Sequence, residues 1–131
     1  PKLRQLPKCN YSYGTILMIK IICVDFDGTI AKNAYPEIGE PMEGAFEVLL
    51  ELKAAKWKVI LWTCREGDTL ENAVEYCKQR GLKFDAVNEA IDNFRQGLKR
   101  KPFADYYIDD RNIGGLPDWK TIREILFSTD N

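Results

Sequence analysis

Short apolar runs alternate with amphipathic segments along this chain from Met18 onward. Each run has the length of a β-strand, and the segments between the runs carry apolar residues at the spacing of an α-helix. Strands that alternate with helices typically form a parallel sheet with helices packed on its faces. The sequence therefore predicts an α/β fold of three layers around a central parallel sheet, in one domain over residues 18–131.

The predicted elements are placed by these patterns and by turn residues. Strands are predicted at 19–25, 58–63, 82–87 and 105–108. Helices are predicted from Pro41 to about residue 56, from Asp68 to Gly81, at about 89–98 and at about 118–127. Asp68 and Glu71 indicate a capping box at the start of the second helix. Residues 1–17 show neither the apolar spacing of a strand nor that of a helix, so we expect an irregular N-terminal extension there. Met18 is a candidate translation start.

Composition narrows the classes of function. The chain has 131 residues, 45% hydrophobic and 30% charged, as expected for one globular core. A formal net charge of -1 gives no strong signal for nucleic acid, and the longest apolar stretch, 16–24, is too short to cross a membrane. Four cysteines without a CxxC pair, and no histidine, give little support for a zinc site. We expect a cytoplasmic protein with reduced thiols.

Two acids stand two residues apart where the first predicted strand ends. Asp25 and Asp27 follow the apolar run, and Gly28 then breaks the strand. The carboxyl ends of parallel strands are where open α/β sheets bind ligands. Neither acid is buried cheaply without a cation or a proton. The alternative interpretation is a surface turn, in which Asp and Gly are common.

Polar residues also follow the second and fourth predicted strands. Thr63 could donate a hydrogen bond to a phosphate, or could simply be a β-branched residue that ends a strand. The adjacent acids Asp109 and Asp110 repel each other unless a cation or Arg111 intervenes, although a solvated turn is an equally good interpretation. The basic run 99–101 is either a solvated loop face or the source of a phosphate-binding Lys.

The fixed order of these features resembles the haloacid dehalogenase superfamily. The resemblance extends over most of 19–127 and includes all four short motifs of that superfamily, whose fold is Rossmann-like. It implies the following roles: Asp25 as nucleophile, Asp27 as general acid and base, Thr63 and Lys101 as phosphate-binding catalytic residues, and Asp109 with Asp110 as metal-binding acids. Lys99 is a rival for the role of Lys101.

Phosphoryl transfer requires a nucleophile, neutralisation of charge and a proton for the leaving group, and this set of residues could supply them. Mg²⁺ would be held by Asp25, Asp109 and Asp110 together with the backbone carbonyl of Asp27. Thr63, Lys101 and the backbone amides near Gly28 and Thr29 would bind the phosphate oxygens.

The resemblance also indicates which reaction the chain catalyses, while segment lengths indicate whether it has a separate cap domain. Dehalogenases of the superfamily need only the first acid, whereas enzymes that act on phosphate need the second, so Asp27 favours a phosphatase. The loop 30–40 and the segment 63–101 are too short for a separate cap domain. Residues 31–40 would form a small flap, in which Lys32 and Tyr35 either contact substrate or belong to a solvated hairpin. Arg65 and Glu66 could pair with each other or border the pocket.

Alternatives to an active phosphatase remain open at this stage. One is a regulatory module that keeps the fold and binds phosphate or metal with little turnover. Another is a receiver-like signalling domain, which motif order disfavours because its phosphorylated Asp would stand alone on the middle strand. The partner would be a phosphorylated small molecule or macromolecule, and a second subunit could serve as a lid in a homo-oligomer.

Overall fold

The computed structural model describes residues 19–91 and 101–128. Its elements are β1 (Ile21–Val24), α1 (Ala45–Ala54), β2 (Lys58–Leu61), α2 (Gly67–Gln79), β3 (Ala86–Val87), β4 (Tyr106–Ile108) and α3 (Trp119–Ser128). The strands form one parallel sheet in the order β3-β2-β1-β4. The predicted α/β fold with a central parallel sheet is confirmed, and no separate cap domain stands among these residues. The predicted N-terminal extension at 1–17, Met18, Lys99 and most of the predicted helix at 89–98 lie outside the described residues.

Strand register brings the functional loops to one edge of the sheet. Val24, the last residue of β1, pairs with Leu61 of β2 on one side and with Ile108 of β4 on the other. Leu61 in turn pairs with Val87 at the end of β3. All four strands therefore end at the same level, and the residues that follow them leave the sheet side by side.

The two faces of the sheet bury different sets of residues because side chains alternate along each strand. Ile22 and Val24 belong to the larger core cluster, which includes residues from all three helices in the described ranges. Ile21 and Cys23 point to the other face, where Ile60 and Ala104 complete a smaller cluster. None of the helices in the described ranges is long and apolar enough to cross a membrane.

The first predicted helix starts later in the structure than in the sequence analysis. It begins at Ala45, after Gly44 with φ 84°, rather than at Pro41. Pro41 instead forms an antiparallel bridge with Ala31, and the Lys32 amide donates to the Glu40 carbonyl at 2.7 Å. This pairing closes residues 32–40 into the expected small flap.

The capping box predicted for the second helix is wrong. The helix is capped by Glu66, which makes no side-chain capping bond, and Asp68 lies inside the first turn. The Thr69 hydroxyl donates to the Glu66 carbonyl at 2.9 Å. Asp68 can still favour the helix through its charge, because the amino end of a helix carries partial positive charge.

The third predicted strand is much shorter in the structure. Of 82–87, only Ala86–Val87 are paired, while Leu82 is buried in the main core. The Asp85 carboxylate explains the late start, because its Oδ2 accepts hydrogen bonds from the Val59 amide and the Lys53 ammonium, both at 2.8 Å.

Trp119 connects the last helix to the loop that follows β1. Its ring is buried, with 1% of the residue exposed, and its indole N–H donates to the Thr29 carbonyl at 2.9 Å. A buried carbonyl that loses its donor is costly, because it no longer bonds to protein or water. Trp119 therefore fixes α3 against the backbone between the first two acids and the flap.

We expect Trp119→Phe to lower the free energy of unfolding by about 2 kcal/mol, because it removes this donor and part of a buried ring. Urea denaturation followed by far-UV circular dichroism measures the change. Trp57→Phe is the matched control, since Trp57 is a buried indole whose ring lies beside Tyr106 and Lys20. Equal losses in the two variants would contradict a contribution from the hydrogen bond.

Candidate active site

Three acids converge where β1 and β4 end. Asp25 follows β1, Asp109 and Asp110 follow β4, and carboxylate oxygens of all three lie within 4.8 Å of one another. The strands are neighbours in register, so the sheet itself sets this separation. Clustered carboxylate oxygens are the ligands that hard divalent cations prefer. The group could therefore hold a metal ion.

The charge state of Asp25 reflects this crowding. Burial and the nearby charge of Asp109 raise its pKa from 3.8 to about 7, while a hydrogen bond from the Phe26 amide acts in the opposite direction. A carboxylate in such surroundings is stabilised by a cation, which would offset both the repulsion and the loss of hydration. The electrostatics of the donor set thus fit a divalent cation.

Thr29 lies between two of the acids and is fully buried. Its hydroxyl accepts from the Asp110 amide at 3.1 Å and stands 3.2 Å from Asp25 Oδ2 and 3.5 Å from Asp110 Oδ1. One hydroxyl proton serves only one of these oxygens at a time. Its hydroxyl therefore braces the acids, while the substrate contact expected near Thr29 stays a prediction.

Gly28 leaves space for the Asp110 carboxylate because it has no side chain. Its φ is 88°, and a Cβ at this position would overlap Asp110 Oδ2. The Gly28 amide donates to the Ala31 carbonyl at 2.7 Å, and the Thr29 amide donates to the Phe26 carbonyl at 3.1 Å. Both amides bond within the turn in this conformation, and the phosphate contacts expected near these two positions stay a prediction.

The Asp27 side chain lies outside the group of three acids. Its two oxygens accept hydrogen bonds from Nε and Nη2 of Arg65, both at 2.8 Å. These bonds are the main cause that raises the pKa of Arg65 above its ordinary value. The Asp27 side chain is thus bonded to Arg65, and the expected metal ligand from Asp27 remains its backbone carbonyl.

Sequence reasoning missed this partnership between Arg65 and Asp27. It considered Glu66 as the partner of Arg65, but Glu66 caps α2 instead. A signal was present, because Arg65 comes two residues after Thr63, at the same sheet edge as the acids. Parallel strands in register bring such loops together even when the residues are 38 positions apart.

Thr63 is held from both sides in the loop after β2. Its hydroxyl accepts from the Arg65 amide at 3.2 Å, and its own amide donates to Asn88 Oδ1 at 2.8 Å. Asn88 follows β3 with φ 55°, a conformation that Asn tolerates better than most residues, and its amide donates to the Leu61 carbonyl. The Thr63 hydroxyl proton can still point to a ligand, and Asn88 is a second supporting residue that sequence reasoning missed.

Lys101 is exposed, and its ammonium stands 4.4 Å from the centroid of the Tyr107 ring. Burial raises the pKa of the Cys23 thiol to about 12, with Lys101 opposing the rise and Asp109 adding to it. Both charges therefore lie near Cys23. Lys101 forms no ion pair with the three acids in the described ranges.

Comparisons with known proteins place the chain in a family without assigning it an activity. No protein-family model and no curated protein match it. A solved structure of a conserved protein from Bacteroides thetaiotaomicron is 47% identical, with a TM-score of 0.78 over 85% of this chain and 92% of that chain. The chain belongs to the family of that protein. Because the relative is known only as a conserved protein, membership carries no activity over to this chain.

A second solved structure is a D,D-heptose 1.7-bisphosphate phosphatase from B. bronchiseptica, in complex with magnesium and phosphate. It is 21% identical, with a TM-score of 0.44 over 60% of this chain and 53% of that chain. A likeness of this size carries no argument about function.

The raised pKa of Asp25 predicts a specific dependence of stability on pH in the absence of metal. The folded protein holds this proton more tightly than the unfolded chain, so the contribution of Asp25 is complete below pH 3.8 and is lost as pH rises to about 7. In chelator, the free energy of unfolding of the wild type, relative to that of Asp25→Asn, should therefore fall as pH rises from 3.8 to about 7. Urea titrations at several pH values measure it.

Asp118→Asn is the control of opposite sign. Hydrogen bonds from Thr121 lower the pKa of Asp118. The contribution of Asp118 to the free energy of unfolding is therefore present at neutral pH, and it is lost as pH falls below 3.8, the ordinary pKa of this carboxyl group. A difference between wild type and Asp25→Asn that is independent of pH would contradict the coupling of Asp25 to its neighbours.

We expect Gly28→Ala to weaken binding of Mg²⁺ or Mn²⁺ by about tenfold or more, because the new methyl group displaces the Asp110 carboxylate. Isothermal titration calorimetry measures the affinity. Gly114→Ala is the matched control, since Gly114 has φ 96° but no atom within 4 Å of its added Cβ. Unchanged affinity in Gly28→Ala would show that Asp110 does not ligate the metal.

Proposed function

We propose that the protein is a Mg²⁺-dependent phosphohydrolase of the haloacid dehalogenase superfamily that cleaves phosphomonoesters through an aspartyl-phosphate. The observation that supports it best is the group of Asp25, Asp109 and Asp110, assembled from two strand ends that lie far apart in sequence. These are the positions that the motifs of the superfamily assign to the nucleophile and the metal-binding acids. A solvated turn gives no reason for this convergence.

Asp25 is the proposed nucleophile. One carboxylate oxygen attacks phosphorus, the bond from phosphorus to the leaving oxygen breaks, and that oxygen takes a proton from Asp27. Asp27 must carry that proton on a lone pair that its two bonds from Arg65 leave free. A water molecule then attacks the aspartyl-phosphate and loses a proton to Asp27. This second step releases inorganic phosphate and restores both carboxyl groups, so one water is consumed for each ester cleaved.

The cation would be held by Asp25, Asp109 and Asp110 with the backbone carbonyl of Asp27. When bound, it would neutralise the repulsion between Asp25 and an anionic phosphate. The Thr29 hydroxyl supports this set because it bonds to the Asp25 carboxylate and to the Asp110 amide.

Thr63 and Lys101 are the proposed phosphate-binding residues. The Thr63 hydroxyl has its proton to offer, and its loop is fixed through Asn88. Lys101 is exposed, and we propose that its long side chain turns from the Tyr107 ring to a bound phosphate, where its ammonium acts as a point charge. We assign the role to Lys101 rather than Lys99 because the Lys-Pro pair that leads into β4 resembles the superfamily pattern more closely.

The substrate class is a phosphomonoester on a small molecule or a macromolecule. No cap encloses the site within the described ranges, and the flap over 32–40 carries the exposed ring of Tyr35. An open site has little of its own to surround a small substrate, so a macromolecule or a second subunit would complete the enclosure.

A second candidate is a metal-binding or phosphate-binding regulatory module of the same fold with little turnover. The observation that favours it is the Asp27 side chain, which bonds to Arg65 and lies outside the group of three acids. A module of this kind would bind Mg²⁺ as tightly as an enzyme does but would not release phosphate.

We expect phosphate release from a phosphomonoester panel in Mg²⁺ and none in chelator. Asp25→Asn should lower the rate at least about a thousandfold, because the nucleophile is lost. Asp68→Asn, which makes the same change at an exposed acid in the first turn of α2, should keep the wild-type rate. A malachite green assay measures the phosphate, and calorimetry measures Mg²⁺ binding in parallel.

The outcomes separate the candidates. Mg²⁺ binding without release from any ester of the panel favours the regulatory module or a macromolecular substrate. A phosphorylated protein that holds its phosphate throughout the assay favours a receiver-like domain. Release that is unchanged in Asp25→Asn overturns the proposed mechanism.

A further inference from the structure

Arg65 is a buried guanidinium that joins three separate segments of the chain. Only 1% of the residue is exposed. Beyond its two bonds to Asp27, Nη2 donates to the Glu37 carbonyl at 2.6 Å, and Nη1 donates to the carbonyls of Pro36 at 3.3 Å and Thr69 at 3.1 Å. A guanidinium has five N–H donors, so all of them have acceptors.

Two aromatic rings enclose the same group. The Arg65 Cζ atom lies 5.0 Å from the centroid of the Phe26 ring and 5.1 Å from that of Tyr35. Phe26 is fully buried, while Tyr35 belongs to the flap and is 58% exposed. Arg65 thus binds the loop after β1 through Asp27, the flap through two carbonyls and a ring, and the start of α2 through Thr69.

The chain contains a second bidentate pair with which this one can be compared. Arg123 donates to both carboxylate oxygens of Glu51, at 2.8 and 2.6 Å, but the two side chains are 47% and 42% exposed. Solvent screens such a surface pair, which contributes little to stability. The pair of Arg65 with Asp27 has the same fork geometry, but the Arg65 side chain is buried. Loss of this pair would leave a buried charge without a partner.

A planar fork fixes the plane of a carboxylate as well as its distance. A general acid acts only when its proton lies within hydrogen-bond reach of the leaving oxygen, so orientation decides its efficiency. Asp27 is bonded through both oxygens to a group that cannot rotate without breaking five bonds. The flap, which would lie beside the leaving group, is anchored to the same guanidinium.

We propose that Arg65 is a positioning residue that fixes the orientation of the Asp27 carboxyl group and of the flap. This inference rests on the proposed function, because it assigns Arg65 a role in the proton transfer from Asp27. Arg65 itself neither transfers the proton nor touches phosphorus.

The test uses Arg65→Lys and two substrates that differ in their need for a proton. p-Nitrophenolate leaves readily as an anion, whereas the alkoxide of β-glycerophosphate requires protonation as it leaves. Asp27→Asn, measured on both esters, sets the pattern expected when the acid is lost. Arg123→Lys is the matched control, because it breaks the same fork geometry away from the site.

We expect Arg65→Lys to lower kcat for β-glycerophosphate by about tenfold or more and kcat for p-nitrophenyl phosphate by about threefold or less, following the pattern of Asp27→Asn. The effect should fall on kcat rather than KM, since the lost orientation matters in the transition state. In the double variant, Arg65→Lys should add little to Asp27→Asn. Arg123→Lys should leave both rates unchanged.

Equal losses for the two esters, or full additivity in the double variant, would overturn the positioning role and leave a structural one. A wild type that releases phosphate from neither ester overturns the proposed function, and the role of Arg65 with it. If Arg65→Lys does not fold, Tyr35→Leu decides, because it removes an exposed ring that covers the guanidinium. It should show the same selective loss for β-glycerophosphate, and an equal loss for both esters would count against the proposal.

Discussion

Repulsion among three carboxylates is the constraint on which the rest of this molecule depends. Asp25, Asp109 and Asp110 are held together although their charges oppose it, and the cost is visible in the raised pKa of Asp25. The hydrogen bonds and packing of the sheet supply the opposing force, because β1 and β4 end in register. Buried Thr29 then adds bonds that no solvated turn would need. Such a group could hold a metal ion.

The acids and the sheet could be predicted from sequence because each depends on local pattern. An apolar run followed by Asp-x-Asp-Gly determines a strand and its end, and the parallel order brings those ends together. Element boundaries depended on distant partners instead. Pro41 was expected to open a helix but pairs with Ala31, and the third strand is short because Asp85 bonds to Val59 and Lys53. The local propensity of a residue to form a helix or a strand gives no information about such long-range contacts.

The same distinction explains what was missed in the site. Residue types that carry chemistry were recognised, but their partners were not. Arg65 was expected to pair with Glu66 or to border the pocket, whereas the buried guanidinium bonds to acceptors from three segments that meet only in the folded state. The amides of Gly28 and Thr29 were expected to face a phosphate, but the tight turn uses them internally. Donor and acceptor pairing is settled by packing, which is the part of structure that sequence patterns describe least well.

The hydrogen bond from Trp119 to the Thr29 carbonyl gives the site an optical probe of its own. The indole bonds to the backbone of the residue whose hydroxyl braces the acids, and it is shielded from solvent. Any movement of Thr29 as the acids gather around a cation would change the polarity at the indole N–H. The emission of this tryptophan can therefore register the state of the acids from inside the core, without a label.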